Sequence, residues 1–183
     1  MCSAHCSAPD LDEGSVHVLA TGEMVRVRHG RPEDLDRVNA MHLRCTAMSR
    51  YHRYQAPRQR IGHAEWANLT DPALGTTWLV APYDDPDGVV AVSHLMRTDR
   101  EGVTELGLLV EDGWQYRGVG TLLTHCAVNH AVREDSHTVT VMTDADNAPM
   151  LAIARRFGAV PPRTESGTVD LAIGVPRTAG VRR

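Results

Sequence analysis

Short runs in which apolar and polar residues alternate recur along the chain, and this period of two is typical of strands with one buried face. The first run begins at Met24, where Val25 and Val27 point the same way. Three later runs are separated by short sequences rich in Asp, Pro and Gly, and they predict an antiparallel meander. These runs span 76–81, 89–96 and 103–110, and two further strands are predicted over 138–142 and 168–175.

Between these strands, apolar residues recur at intervals of three and four, which indicates amphipathic helices. Pro32 opens the first helix, with acidic residues in the turn where the helix dipole favours them, and the pattern continues to about Ser49. Gly158 is placed to end the last helix. The predicted helices span about 32–49, 62–68, 121–133 and 148–157.

The predicted order of elements is strand, two helices, three strands, helix, strand, helix and strand. The strand–helix–strand unit that follows the meander requires a parallel pair of strands, so the sheet is expected to be mixed. The fold class is therefore α/β, of the mixed α+β kind.

The 183 residues predict one domain with short extensions, since domains usually contain about 100–200 residues. Residues 1–22 show no period and are expected to form a flexible leader. The folded domain is expected over 23–175, and 176–183 form a basic C-terminal tail.

Charge and composition narrow the class of partner. Lys and Arg total 19 against 23 Asp and Glu, a net charge of −4, whereas proteins that bind nucleic acid through phosphates carry a basic excess. The sequence contains no apolar run long enough to cross a membrane. The four cysteines show no disulfide spacing, so a cytoplasmic location is expected. Cys2, His5, Cys6 and His17 lack the second ligand pair of a zinc site, so no metal is assigned.

The most informative segment is Gln115–Thr121, which lies between a predicted strand and a predicted helix. The free N–H groups at a helix start bind phosphate oxygens, and the two glycines of the segment allow a ligand to approach the backbone. Arg117 and Thr121 offer further donors. A P-loop would need Gly-Lys-Ser/Thr, and a dinucleotide fingerprint would need Gly or Ala at the place of Leu123; neither pattern is present.

The segment Glu105–Val110, followed by the loop Gln115–Gly120, resembles the central coenzyme A motif of the GNAT acetyltransferase superfamily. Asn147–Gly158 resembles the next helix of that family, and a predicted strand lies between the two motifs, as in the family. The resemblance covers about 24–175. It implies a three-layer fold, with a central mixed sheet of about six to seven strands flanked by helices, and acetyl-CoA as co-substrate.

The resemblance also assigns coenzyme contacts. In the family, the pyrophosphate lies on the glycine loop and the pantetheine arm extends between two splayed strands, which correspond to 103–110 and 138–143 here. Backbone groups at Leu109 and Val110 are expected to hold the arm, and one of their amides to polarise the thioester carbonyl. The expected coenzyme-binding residues are Leu108, Leu109, Val110, Gln115, Tyr116, Arg117, Gly118, Val119, Gly120, Thr121 and Asn147.

Glu105 stands where many family members that modify protein lysines carry their general base, and burial is expected to raise its pKa towards the working range. The alternative is a solvent-facing glutamate on a strand. Many members place a tyrosine general acid where this chain has Ala154, so no acid is assigned. Tyr51, Tyr54 and Tyr116 are candidates by residue type only.

The acceptor is the least defined part of the reaction. Thr46–Tyr54 resembles a segment that follows the first helix of bacterial protein lysine acetyltransferases, and with Glu105 it points to direct transfer onto a protein lysine. A small amine, such as an antibiotic or a polyamine, is an alternative acceptor, and a non-catalytic acetyl-CoA-binding module is a third interpretation. The expected partners are acetyl-CoA and the amine, without nucleic acid or membrane, in a monomer or homodimer.

Overall fold

A computed structural model describes residues 14–160 and 167–176. Within these ranges the strands form one seven-stranded sheet, in which they lie in the order in which they occur along the chain. The strands are β1 (Ser15–Val18), β2 (Met24–His29), β3 (Gly75–Pro82), β4 (Ala91–Arg97), β5 (Val103–Val110), β6 (Thr138–Asp144) and β7 (Thr168–Gly174). Neighbouring strands are antiparallel except β5 and β6, which are parallel, so the expected mixed sheet is confirmed.

Helices cover both faces of this sheet and complete the three layers. They are α1 (Leu35–Arg44), α2 (Ala47–Tyr54), α3 (His63–Leu69), α4 (Val119–Arg133) and α5 (Ala148–Arg156). Alternate residues of β5 serve the two faces: Leu106 packs into the core shared with α4 and α5, and Leu109 into the core shared with α1 and α3. Burying apolar side chains on both faces is what stabilises this central strand.

Strand β1 corrects the expected leader of residues 1–22, because residues 15–18 belong to the sheet. They pair with β2 from Ser15↔Val27 to Val18↔Met24. Val16 and Val18 are exposed, so the strand has no buried face that a hydrophobic pattern would reveal. The rest of the expected leader, including Cys2, His5 and Cys6, lies outside the described residues, as does the expected tail from 177 onwards.

The first helix ends earlier than the sequence predicts. Cys45 has an extended backbone (φ −77°, ψ 144°), and Thr46 then caps a separate helix, α2. The Oγ1 atom of Thr46 accepts a hydrogen bond from the backbone N–H of Ser49 at 3.2 Å, which satisfies a donor that the first turn leaves free. The prediction of one helix to about Ser49 is therefore wrong, and residues 50–54 are helical as part of α2.

A wedge-shaped gap opens between β5 and β6. The two strands pair only at Val103↔Thr138, Thr104↔Val139 and Glu105↔Thr140. Beyond Glu105, β5 continues to Val110 paired with β4, and β6 continues to Asp144 paired with β7. The sides of the two strands that face each other across the gap therefore carry backbone groups without a strand partner, as the splayed strands of the sequence prediction require.

Among the described residues, none of the helices has both the length and the apolar character needed to cross a membrane.

Candidate active site

The gap between β5 and β6 continues into a cavity of about 320 Å³. One side is formed by α2, through residues such as Thr46, His52 and Arg53. The other side is formed by the first turns of α4 and α5, through Gly120 and Met150. The cavity therefore passes through the plane of the sheet and opens towards helices on both of its faces.

The cavity brings together seven of the residues expected to bind the coenzyme. They are Leu108, Leu109, Val110, Gln115, Tyr116, Gly120 and Asn147. The other four, Arg117, Gly118, Val119 and Thr121, lie at the start of α4 but do not line the cavity, and neither does Glu105.

The first turn of α4 has the geometry of an anion site. Gly118 is its N-cap in the left-handed conformation (φ 100°), which only glycine adopts without strain. The N–H groups of the next three residues precede the first intrahelical hydrogen bond, which Leu122 donates to the Gly118 carbonyl at 2.9 Å. Gly120 also serves packing, because a Cβ there would lie 2.9 Å from Cδ1 of Ile153 on α5.

Arg117 points away from the cavity. Its guanidinium pairs with Glu23 at 2.5 Å and lies 5.1 Å from the centre of the Trp114 ring. In this position Arg117 joins the loop to the β1–β2 hairpin rather than extending over the helix start. Tyr116, next to it, has a positive φ of 60° and is 85% exposed at the rim of the cavity.

Asp112 connects α2 to the turn that follows β5. Its carboxylate accepts hydrogen bonds from the backbone N–H and the hydroxyl of Thr46, at 2.8 and 2.9 Å, and from the hydroxyl of Ser49 at 2.9 Å. Partial burial raises the pKa of Asp112, but these hydrogen bonds outweigh it and the pKa is lowered from its ordinary value. Gln115 extends the network, donating to Ser49 at 3.0 Å and to the Val110 carbonyl at 3.1 Å.

Sequence reasoning missed Asp112, because only the Thr46 half of this contact has a local sequence signal. Thr46 precedes a helix and is a residue type that caps one, so a carboxylate close to it in space would complete the helix start. The contact joins residues 66 positions apart along the chain, and only the fold reveals such a pair.

Glu105 is exposed, so the expectation that it is buried is wrong. Its strand neighbours are Met96 on β4 and Thr140 on β6, at the last residue pair before the gap opens. The side chain shares a face of β5 with Gly107, which lines the cavity, because residues two apart in a strand point the same way.

The tyrosines named as possible general acids occupy different surroundings. Tyr54 is half-buried with its hydroxyl 2.5 Å from Nε2 of His42, and burial raises the pKa of Tyr54 to about 12. Tyr51 is exposed, and neither it nor Tyr54 lines the cavity, whereas Tyr116 does. Ala154 is fully buried in the core.

A group of titratable side chains lies where α2 meets the end of β6. His52, Asp144 and Asp146 place one ligand atom each within 4.8 Å of one another, which is close enough to surround a cation. The Nε2 atom of His52 lies 3.3 Å from Asp146 without a hydrogen-bonding angle, and Oδ2 of Asp144 is buried without a hydrogen-bond partner among the described residues.

A family model described as an acetyltransferase (GNAT) domain matches residues 25–160 of this chain. The match covers well over half of the chain and spans the sheet from β2 to β6, the gap, and helices α1 to α5.

Solved structures share the fold. The GNAT domain of S. lividans PAT has a TM-score of 0.76 at 22% identity, and the alignment covers 88% of this chain and 96% of that one. The cAMP-binding acyltransferase from Mycobacterium smegmatis has a TM-score of 0.63 at 24% identity over 91% of this chain. This chain spans about half of that protein, 48% of its length. The yncA protein of Salmonella typhimurium, whose structure contains its cofactor acetyl-CoA, has a TM-score of 0.68 at 12% identity and covers 85% of this chain and 96% of its own.

Proposed function

This chain belongs to the GNAT acetyltransferase family, and we propose that it moves the acetyl group of acetyl-CoA directly onto a primary amine, namely a lysine side chain of a protein. The observation that carries the proposal is the gap between β5 and β6. It is an opening through the sheet, with a helix start on one side and a separate helix, α2, on the other. Two substrates that enter from opposite faces can meet in such an opening.

On the α4 side, the free N–H groups after Gly118 suit the pyrophosphate of the coenzyme. The pantetheine arm then lies along Leu108–Val110, where the backbone facing β6 has no strand partner. An N–H group at Leu109 or Val110 polarises the thioester carbonyl and stabilises the negative charge that develops on its oxygen. Asn147, which lines the same cavity and caps α5, contributes a further polar group.

On the α2 side, the acceptor amine attacks the thioester carbon with its lone pair. A C–N bond forms as the C–S bond breaks, the amine proton passes to Glu105, and the coenzyme leaves as a thiolate that takes a proton from water. The exposure of Glu105 fits a base that works through a water relay and returns its proton to solvent.

Direct transfer is favoured over an acetyl-cysteine intermediate. Cys45 and Cys126 are both buried, and burial raises the pKa of each thiol to about 12. A thiol in that state is not a nucleophile at neutral pH, and neither residue lines the cavity. Of the cysteines in the described residues, none therefore supports a two-step route.

A protein lysine is the acceptor that the sequence of α2 supports. Thr46 and Ser49 are the residues of the resembling segment that anchor α2 to Asp112. His52 and Arg53 of the same helix line the cavity. The segment that resembles the one in bacterial protein lysine acetyltransferases thus forms the wall that an extended amine would pass.

Replacing Glu105 with Gln tests this mechanism. Loss of a positioned general base is expected to lower kcat for acetylation of a lysine-bearing protein by about 10²- to 10⁴-fold. Release of coenzyme thiol and mass gain on the acceptor measure the rate, and calorimetry measures acetyl-CoA binding, which should not change. Glu101→Gln is the control, since Glu101 is an exposed glutamate in the turn before β5. Equal rates for the wild-type protein and Glu105→Gln, with acetyl-CoA still bound, would exclude Glu105 as the base.

A further inference from the structure

Arg53 occupies a special place in the wall of the cavity. It projects from α2 towards β5, and its guanidinium rests on Gly107, the second residue beyond the last β5–β6 pair. A Cβ at position 107 would lie 2.2 Å from both Cζ and Nη2 of Arg53. Only glycine at 107 leaves room for this guanidinium at the point where the two strands separate.

The guanidinium of Arg53 lacks a polar partner. Nε is fully buried and unbonded, and within 14–160 and 167–176 no acceptor makes a hydrogen bond or an ion pair with this side chain. Glu105 and Glu65 act on it only through the longer-range attraction of their charges. The ring of Tyr54 lies 4.8 Å below Cζ, and it supports the cation without accepting a hydrogen bond in its plane.

Arg58 is a natural comparison, because it lies over the same tyrosine ring, also at 4.8 Å. Its guanidinium forms an ion pair with Glu65. Arg58 is therefore satisfied within the protein, whereas Arg53 presents a positive charge and free donors to the cavity.

A half-buried cation without a partner is costly, since removing charge from water is compensated only by pairing and hydrogen bonding. The planar fork of an arginine matches the two oxygens of a carboxylate, and such bidentate pairs are among the strongest polar contacts in proteins. An unpaired guanidinium beside a cavity is the arrangement expected where an anionic ligand supplies the hydrogen-bond acceptors.

We propose that Arg53 forms a carboxylate-binding subsite of the active-site cavity. The proposal rests on the proposed function only in taking this cavity as the place where acyl donor and amine meet. The carboxylate is carried either by the acyl group, as in a dicarboxylic acyl-CoA, or by the acceptor, as in an amino acid. In the first case the protein transfers carboxylated acyl groups in addition to acetyl, by the same formation of C–N and breakage of C–S, and the carboxylate itself does not react.

Two pairs of probes distinguish the sources. Succinyl-CoA and butyryl-CoA carry four-carbon acyl chains with and without a terminal carboxylate, and they are offered with one lysine peptide. β-Alanine and its amide carry the amine with and without a carboxylate, and they are offered with acetyl-CoA. Each pair is compared by kcat/KM from thiol release and by Kd from calorimetry.

We expect the carboxylated member of one pair to be preferred by the wild-type protein. Arg53→Gln should reduce that preference about 10- to 100-fold, the usual effect of losing hydrogen bonds to a charged group. Arg53→Lys keeps the positive charge but not the planar guanidinium, so its preference for the carboxylated probe should lie between those of the wild-type protein and Arg53→Gln. Arg58→Gln should keep the wild-type preference. Gly107→Ala displaces the guanidinium without removing it and should act like Arg53→Gln, which covers the case in which Arg53→Gln does not fold.

The proposal is overturned if neither pair shows a preference for the carboxylated member, or if Arg53→Gln and Arg58→Gln change the preference equally. The binding measurements need no turnover. A protein that binds succinyl-CoA through Arg53 but releases no thiol with any acceptor would contradict the proposed function and leave this subsite standing.

Discussion

Two cavities lie at opposite ends of β5, and the smaller of them is the candidate active site. The active-site cavity, at the end of the strand, has a volume of about 320 Å³. The second cavity, at the start of the strand, has about 580 Å³ and lies between the turn before β5 and the end of α4. Volume alone would favour the second cavity.

Three polar side chains of the second cavity, Arg97, His130 and Glu134, have partners within the protein. Arg97 pairs with Glu134 at 2.5 Å and donates to the carbonyls of Pro72 and Ala73 at 3.1 and 3.0 Å. The Nε2 atom of His130 lies within 3.0 Å of the Thr76 hydroxyl. These groups already have partners and need no ligand.

The active-site cavity differs in what it leaves unsatisfied. His52 and Arg53, which both line this cavity, each have a buried side-chain nitrogen without a hydrogen-bond partner among the described residues. The strands on either side also leave backbone groups unpaired. Because buried polar groups in proteins are nearly always paired, unpaired groups gathered around one opening are a better mark of a site than its size.

Filling each cavity in turn would test this contrast most strongly. Leu108→Trp places an indole in the gap beside Gly120 and should weaken acetyl-CoA binding about 100-fold or more, equivalent to roughly 2.8 kcal/mol. Ser136→Trp fills the second cavity and should leave acetyl-CoA binding unchanged. Calorimetric titration measures both, with thermal unfolding to confirm that each variant is folded. Equal loss of acetyl-CoA binding in the two variants would contradict the proposed difference between the two cavities.

The network around Asp112 offers a smaller, pH-dependent test. Asp112→Asn should lower the free energy of unfolding by about 0.5–1 kcal/mol at pH 7, since the hydrogen bonds are partly exposed, and should raise the KM for acetyl-CoA by loosening α2. The folded protein lowers the pKa of Asp112, so the carboxylate stabilises the fold above about pH 4 and loses this effect as the pH falls further.

The difference in stability between the wild-type protein and Asp112→Asn should therefore shrink as the pH falls from 7 towards 3. Urea unfolding at a series of pH values measures it. Asp99→Asn, at an exposed residue in the turn before β5, is the matched control and should show no such difference. A difference that stays constant with pH would mean that the charge of Asp112 is not what anchors α2.

The smallest effect is expected in the second cavity. Arg97→Gln removes an exposed ion pair, which is worth less than about 1 kcal/mol, and should leave the rate of acetyl transfer unchanged. Urea unfolding and thiol release measure the two quantities. A fall in the transfer rate would show that the second cavity takes part in the reaction after all.

The sequence predicted the parts of the molecule that depend on local pattern. Strands β2 to β7 and the helix that ends before Gly158 follow from hydrophobic period and turn chemistry, and the expected mixed sheet is present. β1 was missed because its valines are exposed, and the break between α1 and α2 was missed because Cys45 gives no signal of an extended backbone.

The same distinction between local pattern and contacts of distant segments applies to the candidate site. The loop glycines could be found because their use is local: Gly118 takes a positive φ at the helix start. Arg53 and Asp112 could not, because their surroundings are assembled from distant segments: α2 against Gly107 in one case, and Thr46 against the turn after β5 in the other. Whether a charge is paired is a property of the fold rather than of the sequence around it.

The short pairing of β5 with β6 also bears on how the molecule is held together. β6 and β7 pair over seven residues, from Thr138↔Gly174 to Asp144↔Thr168, but they join the rest of the sheet through three pairs only. The last two strands thus form a cooperative unit with a weak seam, the kind of boundary along which proteins open locally before they unfold. A molecule bound in the gap can form hydrogen bonds with the backbone of both strands and so replace the missing strand pairs. Binding is then expected to slow amide hydrogen exchange in β6 and β7.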